Sequence, residues 1–193
     1  MAERLFSGSW YAAWNDMIRR AVADVDQLDR RLFSDPALGG ALQKIVEKYS
    51  VDIARLNTDP TAITADAVED ERYVSDGFGD QRLVKLRRLR MTIPFTGEAQ
   101  SLRLSPSRCT IPAHHAEIGD KSVVITVADD DNAEREVKTF CEQVQGNLDT
   151  LRQEYERDQP QLEQAVSQAA ERRKAAIAAD SERDSKRSFT VRR

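Results

Sequence analysis

The chain has 193 residues with 33 acidic and 29 basic side chains, a formal net charge of −4, and 40% hydrophobic and 6% aromatic residues. This is enough apolar material for one packed core, or for one domain with an appended helical arm. No apolar run approaches the roughly 20 residues of a membrane span, two cysteines cannot frame a disulfide scaffold, and the acidic excess argues against a general nucleic-acid coat.

The N-terminus, MAERLFSGSW, has no long apolar stretch and no small-x-small cleavage signal, so a soluble cytoplasmic protein is expected. Trp10, Trp14, Met17, Ala21, Val25, Leu28 and Leu32 recur at spacings of three and four, which predicts an amphipathic helix over 9–33 with Ser9 as its cap. Both tryptophans read as core anchors because they share that stripe. Asp35 and Pro36 restart a second helix carrying Leu38, Leu42, Ile45, Val46 and Tyr49. Together these form an expected helical hairpin over 1–56. Residues 57–81 combine turn-like NTDPTAIT, acidic AVEDERYV and the glycines of SDGFGD, and are expected to be an exposed linker.

The period then switches to two. Leu89, Met91, Ile93 and Phe95 alternate with Arg88, Arg90, Thr92 and Pro94, which predicts a half-buried strand ending near the proline. Leu102 and Leu104 predict a short second strand. Val123, Ile125 and Val127 predict a third, with Ala116 to Ile118 as its hairpin arm. Residues 82–128 are thus expected to be a small antiparallel sheet of three or four strands. From Asp129-Asp130-Asp131-Asn132 onward, Val137, Cys141, Val144, Leu148, Leu151 and Tyr155 keep a 3.5-residue repeat. That repeat predicts a coiled-coil-like helix over 129–180, which Pro160 either kinks or splits, and a fraying tail over 181–193. The expected fold class is α+β, mostly helical.

The residues offer little catalytic chemistry. His114 and His115 are adjacent in an extended segment, so they point to opposite sides and do not readily share one metal. Cys109 is near them, but five or six extended residues separate the side chains by roughly 15 Å. Cys109 and Cys141 form no CxxC pair. GxSxG, HExxH and phosphate-loop patterns are missing, and Asp76-Gly77-Phe78-Gly79 has no lysine or helix start behind it. The acids Asp129 to Asp131 read better as a helix start than as a cation site. Glu136-Val137-Lys138 falls in the helical seam, where its charges diverge. No catalytic residue, cofactor or metal is expected. Arg82, Lys85, Arg87, Arg88 and Arg90 are a basic run that offers phosphate contacts, or else a solvated face opposite the acids of 66–71.

From Arg90 onward, IPFTGEAQSLRLSPS, IPAHHAEIGDKSVVITV, the long helix with Gln145-Gly146-Asn147-Leu148 and Ala170-Glu171-Arg172-Arg173-Lys174, and the closing Phe189-Thr190-Val191-Arg192-Arg193 carry a resemblance. This half is similar to the N-terminal region of uncharacterised bacterial proteins that commonly continue into a restriction-endonuclease-like domain. Leu104 replaces an aromatic of that pattern and Arg103 is displaced, and a nuclease region is not expected within these 193 residues. The resemblance implies a bacterial, defence-like context and transfers no active site.

The reading expected from the sequence is a non-enzymatic regulatory subunit. It would pair with a protein partner, or with itself as a homo-oligomer, through the seam Val137, Cys141, Val144, Leu148, Leu151 and Tyr155. The partner would be an effector nuclease or ATPase of anti-phage defence, with no membrane contact. The alternative is a nucleic-acid sensor using the basic run of 82–90. A small hydrolase or nuclease ranks last.

Overall fold

The computed structural model describes residues 2–75, 81–108 and 114–187. The chain forms two compact units, Met1–Trp10 with Asp52–Gln153, and Tyr11–Val51 with Glu154–Arg193.

The first unit is an α+β layer. Its strands are β1 (Glu3–Arg4), β2 (Gly8–Ser9), β3 (Arg55–Leu56), β4 (Thr64–Ser75), β5 (Gln81–Thr96), β6 (Leu104–Ser105), β7 (His115–Ile118) and β8 (Ser122–Ala128). Six of them form one sheet in the order β1-β7-β8-β5-β3, with β4 also on β5, while β2 and β6 pair in parallel. β5 is the spine. It pairs antiparallel with β4 from Gln81 to Thr92, with β8 from Arg88 to Pro94, and with β3 at Phe95 and Thr96.

Register sorts the side chains. Leu89, Met91 and Ile93 stand opposite Val127, Ile125 and Val123 on one side and, through Met91 and Leu89, opposite Ala65 and Ala67 on the other. Because side chains alternate with period two, these residues share one apolar face, and Arg88, Arg90 and Thr92 share the other. Ile93, Phe95, Val123, Ile125 and Val127 are buried. The helix α3 (Ala133–Ser185) contributes its residues up to Gln153 to this unit and buries Val137, Phe140, Cys141, Val144, Leu148 and Leu151. Each such side chain withdrawn from water contributes about 1.5–3 kcal/mol. Polar clamps fix the helix. Gln145 Oε1 accepts from the Leu56 amide at 2.9 Å, and Arg152 donates to the Ala54 carbonyl at 3.1 Å.

The acids ahead of α3 shape its start. Asp130 accepts from the Asn132 amide at 2.8 Å, and Asn132 accepts from Arg135. Glu134 and Glu136 occupy the first turn, where carboxylates suit the helix dipole. At the end of β5, Gly97 turns the chain with φ +83°. A Cβ there would lie 2.9 Å from both the Ala54 Cα and the Asp52 carbonyl oxygen, so only glycine fits.

The second unit holds Tyr11–Asp26 of helix α1 (Trp10–Asp26), a 3-10 helix at Arg30–Ser34, helix α2 (Leu38–Lys48), and the part of α3 from Glu154. Trp14, Val25, Phe33, Ile45, Leu162 and Val166 are buried. The Trp14 and Tyr155 rings meet edge to face at 5.9 Å. Asp24 accepts from Lys48 Nζ at 2.7 Å and from the Tyr49 hydroxyl at 3.0 Å. Arg30 donates to the Ile177 carbonyl and to Ser181 Oγ.

Several local expectations change. The first helix ends at Asp26 rather than at 33, because Gln27 and Leu28 close the last turn with short-range bonds and Asp29 caps a separate 3-10 helix through the Arg31 amide. Phe33, not Leu32, becomes the buried residue there. Ser9 lies in β2. The expected linker of 57–81 contains β4, a twelve-residue strand, so the sheet exceeds three or four strands. The expected strand around Leu102 is a 3-10 helix, Ala99–Arg103, followed by the two residues of β6. Ser101 Oγ stabilises that turn by donating to the Glu98 carbonyl and accepting from the Ala54 amide. Pro160 does not split α3: it lies inside the continuous helix, on an exposed position.

Candidate docking groove

The apolar face of the sheet is wider than the helix laid on it. Toward β8 its side chains are buried, but toward β4 Leu89 and Met91 stay half-buried and Ala65 and Ala67 are exposed. The result, within the first unit, is an open groove of about 960 Å³. Ile63, Ala65, Leu89 and Met91 line it from the sheet side, and Ala133, Val137, Cys141 and Gly146 from the helix side. Thr58 and Pro60 belong to the loop before β4. Asp59 organises that loop by accepting from the Thr61 amide at 2.9 Å and its hydroxyl at 2.8 Å, and these bonds hold its carboxyl below the usual carboxylate range.

Along α3 the groove is edged by Glu134, Lys138, Glu142, Gln145 and Asp149. Their spacings of four, four, three and four make one stripe of the helix. Lys138 Nζ is 3.9 Å from Glu142. Asp149 accepts from Gln145 at 2.8 Å and from Arg152 at 2.6 Å. Cys141 is buried in the helix-side wall, and that burial, with the neighbouring Glu142 charge, pushes its thiol above the ordinary range. The sheet-side lining residues carry no charge, and Lys85 and Arg87, farther along the same face of β5, are paired with Glu69, Glu71 and Asp129.

The seam expected to face a partner lies elsewhere. Val137, Cys141, Val144, Leu148 and Leu151 are buried in this chain, and Tyr155 is half-buried against Trp14. The heptad repeat therefore reports positions buried within this chain rather than an exposed seam. Of the six, only Val137 and Cys141 reach the groove.

The basic run is distributed over both sheet faces and is largely matched by acids. Lys85 Nζ lies 3.5 Å from Glu69 and 3.6 Å from Glu71, Arg87 2.7 Å from Asp129, Arg88 3.4 Å from Asp70, and Arg90 2.6 Å from Glu117. Arg82 stands opposite Val74 in the register. His114 is half-buried, with its Nε2 2.6 Å from Gln143 Oε1 and its ring edge to face with Phe140. His115 is exposed, and Cys109 lies outside the described residues. Among the described residues, no group of three or more His, Cys, Asp or Glu side chains is placed to hold a metal ion, and no helix is long and apolar enough to cross a membrane.

The groove itself was partly visible in the sequence. The alternation of Leu89 and Met91 marks its floor, whereas the i, i+4 spacing of Glu134, Lys138 and Glu142 beside the seam is a signal for its edge that the seam reading passed over. Ile63 and Ala65 carried no signal, since they fall in a stretch read as a loop.

The molecule is thus an α+β protein with an open apolar groove beside its long helix. No family model matches the chain, and neither a curated protein nor a solved structure matches it.

Proposed function

We propose that this chain is a non-catalytic interaction module that regulates an effector protein by seating one helix of that protein in the groove beside α3. The observation that supports the reading is the uncovered apolar shelf, where half-buried Leu89 and Met91 and exposed Ala65 and Ala67 share the face on which α3 packs. An apolar sheet face is ordinarily covered by another layer, and contiguous apolar surface rimmed by polar groups favours a protein partner. The effector class, a nuclease or ATPase of bacterial anti-phage defence working in the cytoplasm, comes from the resemblance of the second half of the chain. Nucleic-acid contact through the basic run ranks below, because acids stand within ion-pair distance of Lys85, Arg87, Arg88 and Arg90.

A photo-crosslinking amino acid placed at Met91 of the full chain, expressed in its native host, tests this. The protein captured is to be purified, recombined with the wild-type chain and with Met91→Glu, and assayed for its own activity. The reading requires at least a tenfold loss of affinity in Met91→Glu, about 1.4 kcal/mol, with an unchanged melting curve. It also requires an altered effector activity in the wild-type complex. Equal binding by Met91→Glu overturns the placement, and crosslinks to nucleic acid alone overturn the protein-partner reading in favour of the basic run.

A further inference from the structure

We infer that the groove selects a basic amphipathic helix, lying alongside α3 with its apolar face on the β4–β5 shelf and its cationic edge against the helix stripe; this rests on the docking reading above and adds the chemistry of the partner. The first argument is spacing. Strands are about 4.8 Å apart, so two strands span close to the 8–10 Å that separates packed helices. A helix filling the groove lies against Ala65 of β4 and Leu89 and Met91 of β5, beside Val137 and Cys141 of α3, within that packing distance.

The second argument is length. The groove follows α3 from Ala133 to Asp149, which at 1.5 Å per residue is about 24 Å, or four to five turns of a partner helix. Gly146 sits in that wall, and a Cβ built on it would meet nothing within 4 Å, so this chain leaves space there for an approaching backbone.

The third argument is charge. Of the groove's lining residues, three are acidic (Glu134, Glu142 and Asp149), one is basic (Lys138), and all four belong to α3. The lining residues of the sheet side carry no charge, and Lys85 and Arg87, farther along the same face of β5, are paired with Glu69, Glu71 and Asp129. On the helix bank Lys138 lies 3.9 Å from Glu142 and Arg152 2.6 Å from Asp149, so three carboxylates stand against two cations and the bank keeps a net negative charge centred on Glu134. An occupant with lysines or arginines flanking one side of its apolar stripe matches this arrangement, whereas one flanked by acids is repelled.

The test uses two fluorescein-labelled peptides of about 18 residues. They share one leucine face at helical spacing and carry either lysines or glutamates at the flanking positions. A third peptide alternates leucine and lysine with period two. Binding to the full chain is read by fluorescence anisotropy. The helical lysine peptide should bind at least tenfold more tightly than the glutamate peptide, and Glu134→Lys with Glu142→Lys should abolish or invert that preference. Glu134 also sits in the first turn of α3, so Glu142→Lys alone serves as the second variant and should reduce the preference at least threefold. Glu163→Lys with Glu171→Lys, exposed on α3 beyond the groove, should leave it unchanged.

Equal affinity for both helical peptides, or a preference that survives the groove reversals, overturns the charge selection. If both peptides are still lost in Met91→Glu, the docking reading stands without it. Tighter binding of the alternating peptide overturns the helical occupant. Peptide binding indifferent to Met91→Glu, or no binding of any peptide, overturns both readings.

Discussion

Arg87 Nε lies 2.7 Å from the Asp129 carboxylate, joining the basic run of β5 to the acidic run that precedes α3. Two segments that each look like a ligand site when read alone are here partners of one another. Arg87 is 74% exposed, so the pair contributes little to stability. Its consequence is electrostatic: much of the positive field of β5 is spent inside the molecule.

That neutralisation predicts weak nucleic-acid binding. The wild-type chain should give no gel shift with duplex DNA at about 50 mM salt, where phosphate contacts are strongest. The triple variant Asp70→Asn, Glu117→Gln, Asp129→Asn removes acids that stand beside Arg88, Arg90 and Arg87. It should bind measurably, with a salt slope of about −0.9 per freed phosphate contact. A shift by the wild type that is lost on Arg87→Glu, Arg88→Glu and Arg90→Glu would restore the nucleic-acid reading.

Leu148 has no exposed surface. Leu148→Ala should therefore cost about 2–5 kcal/mol of stability, seen as a lower denaturant midpoint that does not depend on protein concentration. If the residue instead faced a partner copy, the same substitution would change the oligomer equilibrium and leave the monomer's stability intact.

Gly97 combines φ +83° with close backbone neighbours. Gly97→Ala should destabilise the chain by more than about 1 kcal/mol, since an L side chain is strained there whatever the space available. Thermal denaturation decides this. Gly146→Ala, whose Cβ meets nothing, is the contrasting variant and should be neutral or stabilising by up to about 1 kcal/mol, because alanine is the better helix former.

Acid sensitivity should trace in part to two ion-paired carboxylates. Asp24 is held below its ordinary range by the hydrogen bond from Lys48, with help from the Tyr49 hydroxyl, and Glu3 by the hydrogen bond from Arg103. A carboxyl whose folded pKa is depressed stabilises the fold above its unfolded value, near pH 4, and that contribution is lost as pH falls through the folded value. Stability should thus decline from about pH 5 downward. Asp24→Asn and Glu3→Gln should each flatten the decline, modestly because both ion pairs are partly solvent-exposed. Urea midpoints measured from pH 6 to pH 3 would show it, and a slope unchanged in both variants would assign the acid loss to other groups.

Local periodicity by itself determined much of this protein. The alternation through Leu89, Met91, Ile93 and Phe95, the run from Val123 to Val127, and the seam from Val137 to Leu151 each state which side of an element is apolar, and those sides are buried except at Leu89 and Met91, which stay half-buried. The acids before α3 act as its start, as helix-end chemistry predicts. Other features required the tertiary structure, because their causes lie far along the chain. The acidic stretch 64–75 is a strand because β5 sets Arg87 opposite Glu69 and Lys85 opposite Glu71, a pairing that no short window contains. Residues 30–34 leave the first helix because Asp29 caps a new turn, although the 3.6-residue period runs on. The seam became core and the strip beside it became the groove for the same reason. A hydrophobic pattern specifies a face to be covered, but only the assembled sheet and helix decide how much of that face they cover and how much they leave open.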